Sequence, residues 1–247
     1  RIPTASPLKK NGLFHLFFQR KEETYIFHFD RYETKAHSTI GFLGCDSGVG
    51  VTQLAIALCS YCVSKQQKRA AYLELHKRNE IARVLPDTDF SAVLRRHARA
   101  RAKAPSLPGV AKQEPLFFSL RGVDYYPHVS YCDVPLLLNR DYDYLILDLG
   151  SMGEADLSEF LRCDTKFVLG SLAPWKIWKY EKSLELLNHS VNLGEGCNYL
   201  VQMGTSYDIS RFSKANRIAV REVPFIKDPF RIEKQLFLFF EELLASH

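Results

Sequence analysis

Gly44-Cys45-Asp46-Ser47-Gly48-Val49-Gly50-Val51-Thr52 is the stretch on which the reading of the fold turns. An apolar run, Thr39-Ile40-Gly41-Phe42-Leu43, leads into it. Gln53-Leu54-Ala55-Ile56-Ala57-Leu58 leads out, with good helix formers and no breaker. A buried strand, a glycine-rich turn and a helix, in that order, gather backbone N–H groups and a helix N-terminus around one point, which is how backbones hold phosphates. Alone, a Gly-Val-Gly-Val-Thr string also suits a tight strand-to-helix turn that binds nothing.

Residues further along weigh against that plainer alternative. Asp46 to Thr52 has the outline of a Walker A loop, whose pattern ends Gly-Lys-Ser/Thr. Val51 stands at the lysine position and Cys45 at the first glycine position, so the loop is degenerate. Tyr142-Asp143-Tyr144-Leu145-Ile146-Leu147-Asp148-Leu149-Gly150 is a hydrophobic strand ending in an aspartate, the form of a Walker B segment, whose carboxylate holds magnesium directly or through water. Between the two, Lys68 to Leu75 reads as another strand, with Glu74-Leu75-His76-Lys77-Arg78-Asn79 at its carboxyl end, the edge where open parallel sheets bind ligands.

The rest of the chain continues the alternation. Leu116 to Leu120 is a short apolar run followed by Asp124-Tyr125-Tyr126-Pro127, and a helix is expected near Val134 to Leu138. Thr165 to Gly170, Cys197 to Met203 and Arg217 to Val223 read as strands. Pro174 is expected to open a helix on which Trp175 and Trp178 share a face, a packing feature or, if exposed, a partner surface. Pro224 to Pro229 forms the last loop. Ile232, Leu236, Phe239, Phe240 and Leu243 then recur at helical spacing as a core-facing stripe; the other reading is an amphipathic membrane-targeting tail, against which Glu233, Glu241 and Glu242 argue. The expected fold is therefore α/β, three layers with a mostly parallel sheet flanked by helices.

Residues 1–37 stand apart as an extension or a linker from a preceding domain. Leu13 to Phe18 and Thr24 to Phe29 suggest a β-hairpin around a polar loop at 19–23. The chain starts at Arg1, which reads as a piece of a longer protein. Its 247 residues suffice for one large α/β domain, and 46% apolar content is ordinary for a chain with a core. No apolar run approaches the roughly 20 residues that cross a bilayer. The net charge of +5, from 33 basic and 28 acidic residues, is local: Arg95, Arg96, Arg99, Arg101 and Lys103 account for the excess within a basic insert near 95–115. That patch is either a solvated helix or a contact to nucleic acid, acidic lipid or acidic protein; no aromatic side chains interleave it to stack on bases. The six cysteines are scattered, as in a cytosolic chain with reduced thiols. Cys59 and Cys62 form a CxxC inside an expected helix with no second pair, so they read as small buried residues and not as a zinc site.

The order of degenerate loop, strand ending in Glu74-Leu75-His76, Asp148 closing a strand and a late Val223-Pro224-Phe225 loop resembles the MinD/ParA group of P-loop ATPases. That group carries a deviant Walker A motif reading roughly Lys-Gly-Gly-Val-Gly-Lys-Thr. The resemblance spans about residues 38–247, and within the group it looks most like the TadZ/CpaE branch, which helps place and assemble pili. It implies ATP or ADP with Mg2+ as ligands, contacted by Ser47, Gly48, Val49, Gly50, Val51, Thr52 and Gln53, with Pro224 and Phe225 flanking the adenine. It implies Thr52 and Asp148 at the metal and Glu74 orienting the attacking water. It also implies a homodimer, cytoplasmic or peripheral at the inner membrane or cell pole, with protein partners in a pilus or secretion assembly.

The departures are Asp46 for the signature lysine, Val51 for the phosphate-binding lysine and His76 for a second acid. A carboxylate facing phosphates should repel them, with Arg78 or Lys77 as candidate replacements for the lost charge. The leading expectation is a scaffold or positioning protein that hydrolyses weakly or not at all, with the loop either holding a nucleotide or empty. The alternatives are a nucleotide-switched dimerising ATPase and a DNA-associated partition-type protein acting through 95–103.

Overall fold

The computed structural model describes residues 14–20, 23–29, 38–78, 80–84, 115–127, 129–189 and 196–245. Arg95, Arg96, Arg99, Arg101 and Lys103, and with them the basic insert, lie outside the described residues. The chain divides into two units, Arg1–Lys35 and Ala36–His247. In the first, β1 (Phe14–Arg20) pairs antiparallel with β2 (Glu23–Phe29), Phe14 opposite Phe29 and Arg20 opposite Glu23. The ladder runs further into the polar residues than the apolar pattern suggested, because it is made of backbone groups that polar residues carry equally.

The second unit is built on an eight-stranded sheet. Its strands are β3 (Ser38–Gly44), β4 (Ala70–Glu74), β5 (Phe118–Leu120), β6 (Val123–Tyr126), β7 (Tyr144–Ser151), β8 (Thr165–Ser171), β9 (Cys197–Gln202) and β10 (Val220–Glu222). The order is β10-β9-β8-β3-β7-β4-β6-β5, parallel throughout except for the edge pair β5–β6. The strand 39–43 that opens the quoted stretch is thus central, flanked by β7 and β8, and its near-continuous apolar run is what a strand covered on both faces requires.

Helices cover both faces: α1 (Val51–Ser64), α2 (Val134–Leu138), α3 (Leu157–Arg162), α4 (Ile177–His189), α5 (Ser206–Asn216) and α6 (Phe237–Leu244). Strand periodicity divides the core. Ile40, Phe42, Tyr72, Ile146 and Phe167 face α1 and α6, while Leu43, Leu73, Leu147 and Val168 face Phe160, Tyr180 and Phe212 on the other side. The C-terminal stripe is core-facing. Phe240 is fully buried with its ring 5.3 Å from that of Tyr61 on α1, and Leu236 and Leu243 are buried beside it. Cys59 and Cys62 are wholly buried in α1, where burial holds both thiols above their ordinary value.

Several elements differ from the sequence reading. The last strand is shorter, Val220–Glu222, and α4 begins at Ile177, three residues after Pro174. β6, α3 and α5 were not expected. β5 and β6 join through Arg121 and Gly122, with φ of 52° and 82°, the twist of a two-residue hairpin turn. α5 starts in a reciprocal cap in which Thr205 accepts from the Asp208 N–H and Asp208 accepts from the Thr205 N–H. No helix among the described residues is long and apolar enough to cross a membrane.

Candidate functional site

The carboxyl ends of β3, β4, β7 and β8 are neighbours at one edge of the sheet, and the loops leaving them meet there. The loop after β3 is anchored at its start, where Cys45 N donates to Leu169 O at 2.9 Å and Met152 N to Gly44 O at 2.7 Å. Gly48 and Gly50 have φ of 68° and 89°, left-handed conformations that side chains resist. Gly50 caps α1 without a side-chain bond, and a Cβ there would lie 2.4 Å from Gln202 Nε2. The first N–H groups of a 14-residue helix are therefore open to an anion. They border a cavity of about 360 Å3 lined by Asp46, Gly48, Val49, Gly50, Val51, Thr52, Gln53, Ile56, Arg78, Glu80, Gly150, Pro229 and Phe230.

Of the residues expected at a nucleotide, Gly48 to Gln53 line this cavity. Val49 and Val51 do so with backbone: their side chains are buried in the core under α1. Ser47 is not on the wall; its carbonyl accepts from Lys176 Nζ at 2.7 Å. Gln53 donates through Nε2 to Ile226 O at 2.8 Å, tying α1 to the last loop. From that loop Pro229 and Phe230 reach the cavity, whereas Pro224 and Phe225 do not, and Phe225 is 84% exposed. The loop turns after Ile226, whose buried side chain carries the next residues inward.

The expected repulsion from Asp46 is corrected by two lysines. Lys179 Nζ lies 2.8 Å and Lys176 Nζ 3.4 Å from the Asp46 carboxylate. Desolvation opposes ionisation, but the hydrogen bonds from Lys179 and Ser47 and the two lysine charges outweigh it and hold the carboxyl below its ordinary value. The cluster of one anion and two cations carries a net positive charge beside the loop, so the loop is not the anionic surface that the sequence suggested. Lys176 and Lys179 lie around the start of α4, next to the tryptophans, which are exposed at Trp175 and Trp178. Arg78 also lines the cavity, as one of the two candidates for replacement charge; Lys77 does not.

Thr52 and Asp148, the expected metal pair, do meet: Thr52 Oγ1 donates to Asp148 Oδ2 at 2.6 Å. The same oxygen accepts from Tyr72 OH at 2.7 Å and faces His76 Nε2 at 3.2 Å, and Oδ1 accepts from Gly150 N at 2.9 Å. Arg78 N lies 3.3 Å from His76 Nδ1, so Nε2 is the ring nitrogen turned to Asp148. Burial disfavours the charged carboxylate, yet the hydrogen bond and charge of His76 and the bonds from Thr52 and Tyr72 hold Asp148 below its ordinary value. For His76, burial lowers proton affinity, and the bond to and charge of Asp148, with the charges of Glu74 and Glu80, raise it above the ordinary value.

Glu74, expected to orient water, lies behind this pair and off the cavity wall. Its side chain is fully buried; Oε1 accepts from the backbone N–H groups of Glu80 and Ile81 and lies 3.8 Å from His76 Nε2, and Oε2 has no partner. Burial pushes its carboxyl up to about 7. What Glu74 holds in place is the turn that carries Arg78 and Glu80 to the cavity.

Asp148 is fully buried; Thr52, Tyr72 and His76 crowd Oδ2, while Oδ1 accepts from Gly150 N alone and keeps an acceptor site. The other carboxylates on the wall face cations: Asp46 its lysines, and Glu80 the Arg78 guanidinium at 3.9 Å. Among the described residues no group of three His, Cys, Asp or Glu side chains is disposed to hold a metal ion. Thr52 Oγ1 lines the cavity and keeps its lone pairs when it donates to Asp148, so it is the group that would hold Mg2+ beside bound phosphates, with Asp148 behind it.

No protein-family model matches the chain, and no curated sequence does. Solved structures do. A ParA family ATPase from Chlorobium tepidum aligns with a TM-score of 0.52 at 12% identity, over 85% of this chain and 90% of that one. MinD from Aquifex aeolicus aligns with a TM-score of 0.52 at 15% identity, over 83% and 86%. A putative plasmid partition protein from Borrelia burgdorferi, solved with AMPPNP bound, aligns with a TM-score of 0.54 at 12% identity, over 86% and 98%. At such identities the likeness is one of fold: the eight-stranded sheet and its helices have the fold of the ParA and MinD P-loop ATPases.

Proposed function

We propose that this protein binds a nucleotide at the loop 46–53 without hydrolysing it, and that it works as a scaffold or positioning factor for a membrane-associated assembly. The observation that carries this reading is the pairing of an open phosphate cradle, Gly48 to Thr52 around a cavity of about 360 Å3, with the absence of the groups that drive phosphoryl transfer. Val51 replaces the loop lysine, and Glu74 lies off the cavity wall. Phosphoryl transfer depends on positive charge and a positioned nucleophile around the phosphates, so losing the loop lysine and the water-orienting carboxylate leaves binding without chemistry. The AMPPNP seen in the Borrelia partition protein is the precedent for a nucleotide on this fold.

The scaffold role rests on surface. Trp175, Trp178, Met203 and Phe225 follow the carboxyl ends of β8, β9 and β10, and all are more than half exposed. Large apolar side chains on the edge that carries the nucleotide suit a partner surface. A homodimer through that edge, cytoplasmic or peripheral at a membrane, and a TadZ/CpaE-like role at a pilus or secretion assembly complete the proposal. The Arg78 guanidinium on the cavity wall favours the second reading, an ATPase whose cation comes from another loop. Calorimetry with ATP and a phosphate-release assay separate them. Binding without release supports the scaffold; release that is abolished by Asp148→Ala establishes the ATPase.

A further inference from the structure

We propose that Asp46, Lys176 and Lys179 form a relay that reports a phosphate in the loop to the tryptophans at the start of α4. The inference rests on the reading of the loop 46–53 as a nucleotide site. One face of α4, with the turn before it, lies along the start of the loop. Lys176, Lys179 and Ser183 are spaced as one helical face and meet three consecutive loop residues. Lys176 Nζ donates to Ser47 O at 2.7 Å, Lys179 Nζ to Asp46 Oδ1 at 2.8 Å and Ser183 Oγ to Cys45 O at 3.4 Å. The body of the helix is fixed in the core: Tyr180 OH donates to Leu200 O at 3.0 Å, and Leu184 and Leu187 are buried. The parts able to respond are the two lysine side chains, which are long, flexible and partly open to solvent.

Two anions compete for these cations. The Asp46 carboxylate holds both, Lys176 at 3.4 Å and Lys179 at 2.8 Å. A phosphate seated on the Gly48 to Thr52 backbone is the second claimant. Asp46 and Gly48 both line the cavity, and Lys176 Nζ lies 3.7 Å from where a Gly48 Cβ would stand. The phosphate charge therefore arrives beside Asp46 and Lys176, where it repels the carboxylate and attracts the ammonium. Lys176 is paired with Ser47 O and Asp46, two of the three donors of an ammonium, so a third is left for a phosphate oxygen. Lys179 carries the change outward. Its Nζ also stands 5.6 Å from the centroid of the Trp178 ring, a cation–π contact. Trp178 Nε1 donates to Trp175 O at 3.1 Å, and both indoles are more than half exposed. A phosphate that loosens the hold of Asp46 on Lys179 changes the charge over the Trp178 ring. By linkage, a partner that covers Trp178 and displaces Lys179 changes nucleotide affinity in return.

Trp175 and Trp178 are the only tryptophans in the 247 residues, so indole emission reads this face alone. The test is titration of ATP with Mg2+ into the full chain, followed both by calorimetry and by tryptophan emission. The expected result is an emission change that saturates at the calorimetric midpoint. Lys179→Met keeps the aliphatic stem and removes the cation; it should lose that change while saturable heat remains. Asp46→Asn should move the emission before any nucleotide is added and shrink the further change that ATP causes. Saturable heat without an emission change in the parent, or an unaltered change in folded Lys179→Met, overturns the inference and leaves the nucleotide site standing. No saturable heat from the parent overturns the nucleotide site itself, and the inference with it. If Lys179→Met fails to fold, Asp46→Asn decides, and emission that matches the parent's with and without ATP contradicts the relay.

Discussion

Two buried carboxylates close together behave in opposite ways, and their neighbours explain it. Asp148 is stabilised as an anion by four donors, whereas Glu74, with one oxygen unpartnered, keeps its proton up to about 7. Between its ordinary value of 4.5 and that value, the unfolded chain is ionised at Glu74 while the folded chain is not. The unfolded state then binds fewer protons, so stability falls as pH rises through that window. Glu74→Gln should therefore raise the melting temperature by a few degrees at pH 8 and have little effect near pH 5. An equal shift at both pH values would mean that Glu74 is ionised in the fold throughout. Asp46 gives a second prediction. Asp46→Asn removes the anion but leaves Lys176 and Lys179 beside the loop, so nucleotide affinity should rise several-fold at low salt and less at high salt. Titrations at two ionic strengths check it, and weaker binding would contradict it.

At the scale of elements, the strand-loop-helix of 38–64 was legible because one pattern carries all three parts: a continuous apolar run, glycines at left-handed positions and a helix without breakers. What surrounds the loop was not. Asp46 meets Lys179, 133 residues away in sequence, and no local pattern records such a pairing. Arg78 was legible only as a charge near the right sheet edge, and its tether to Glu154 and Ser151 depends on how β4 and β7 lie side by side. β6 was hidden because Asp124 and Pro127 crowd a short segment, although Arg121-Gly122 marked the turn. Thr205-x-x-Asp208 was a readable start signal for α5. The C-terminal stripe was read correctly from its spacing, and it yields a stability prediction. Phe240→Ala empties a fully buried site against Tyr61 and should cost about 3–5 kcal/mol in denaturant unfolding. A loss under about 1 kcal/mol would place α6 outside the cooperative core.

At the scale of the molecule, the parallel sheet delivers the loops after β3, β4, β7 and β8 to one edge, and the same edge carries Trp175, Trp178 and Phe225. A nucleotide at the loop and a partner on these side chains would then be neighbours, the geometry that the proposed scaffold needs. If a homodimer forms there, Trp178→Asp should convert it to monomer in analytical ultracentrifugation while the melting temperature holds; an unchanged mass would move the contact elsewhere. The central claim is that the degenerate loop still holds a nucleotide. It is tested most directly by titrating ATP into the parent protein and into Gly50→Arg, whose side chain would fill the cradle at a φ of 89°. Saturable binding by the parent that the variant abolishes is the predicted result. No heat from the parent at millimolar ATP would contradict it, and would leave the fold as a scaffold that has given up its ligand.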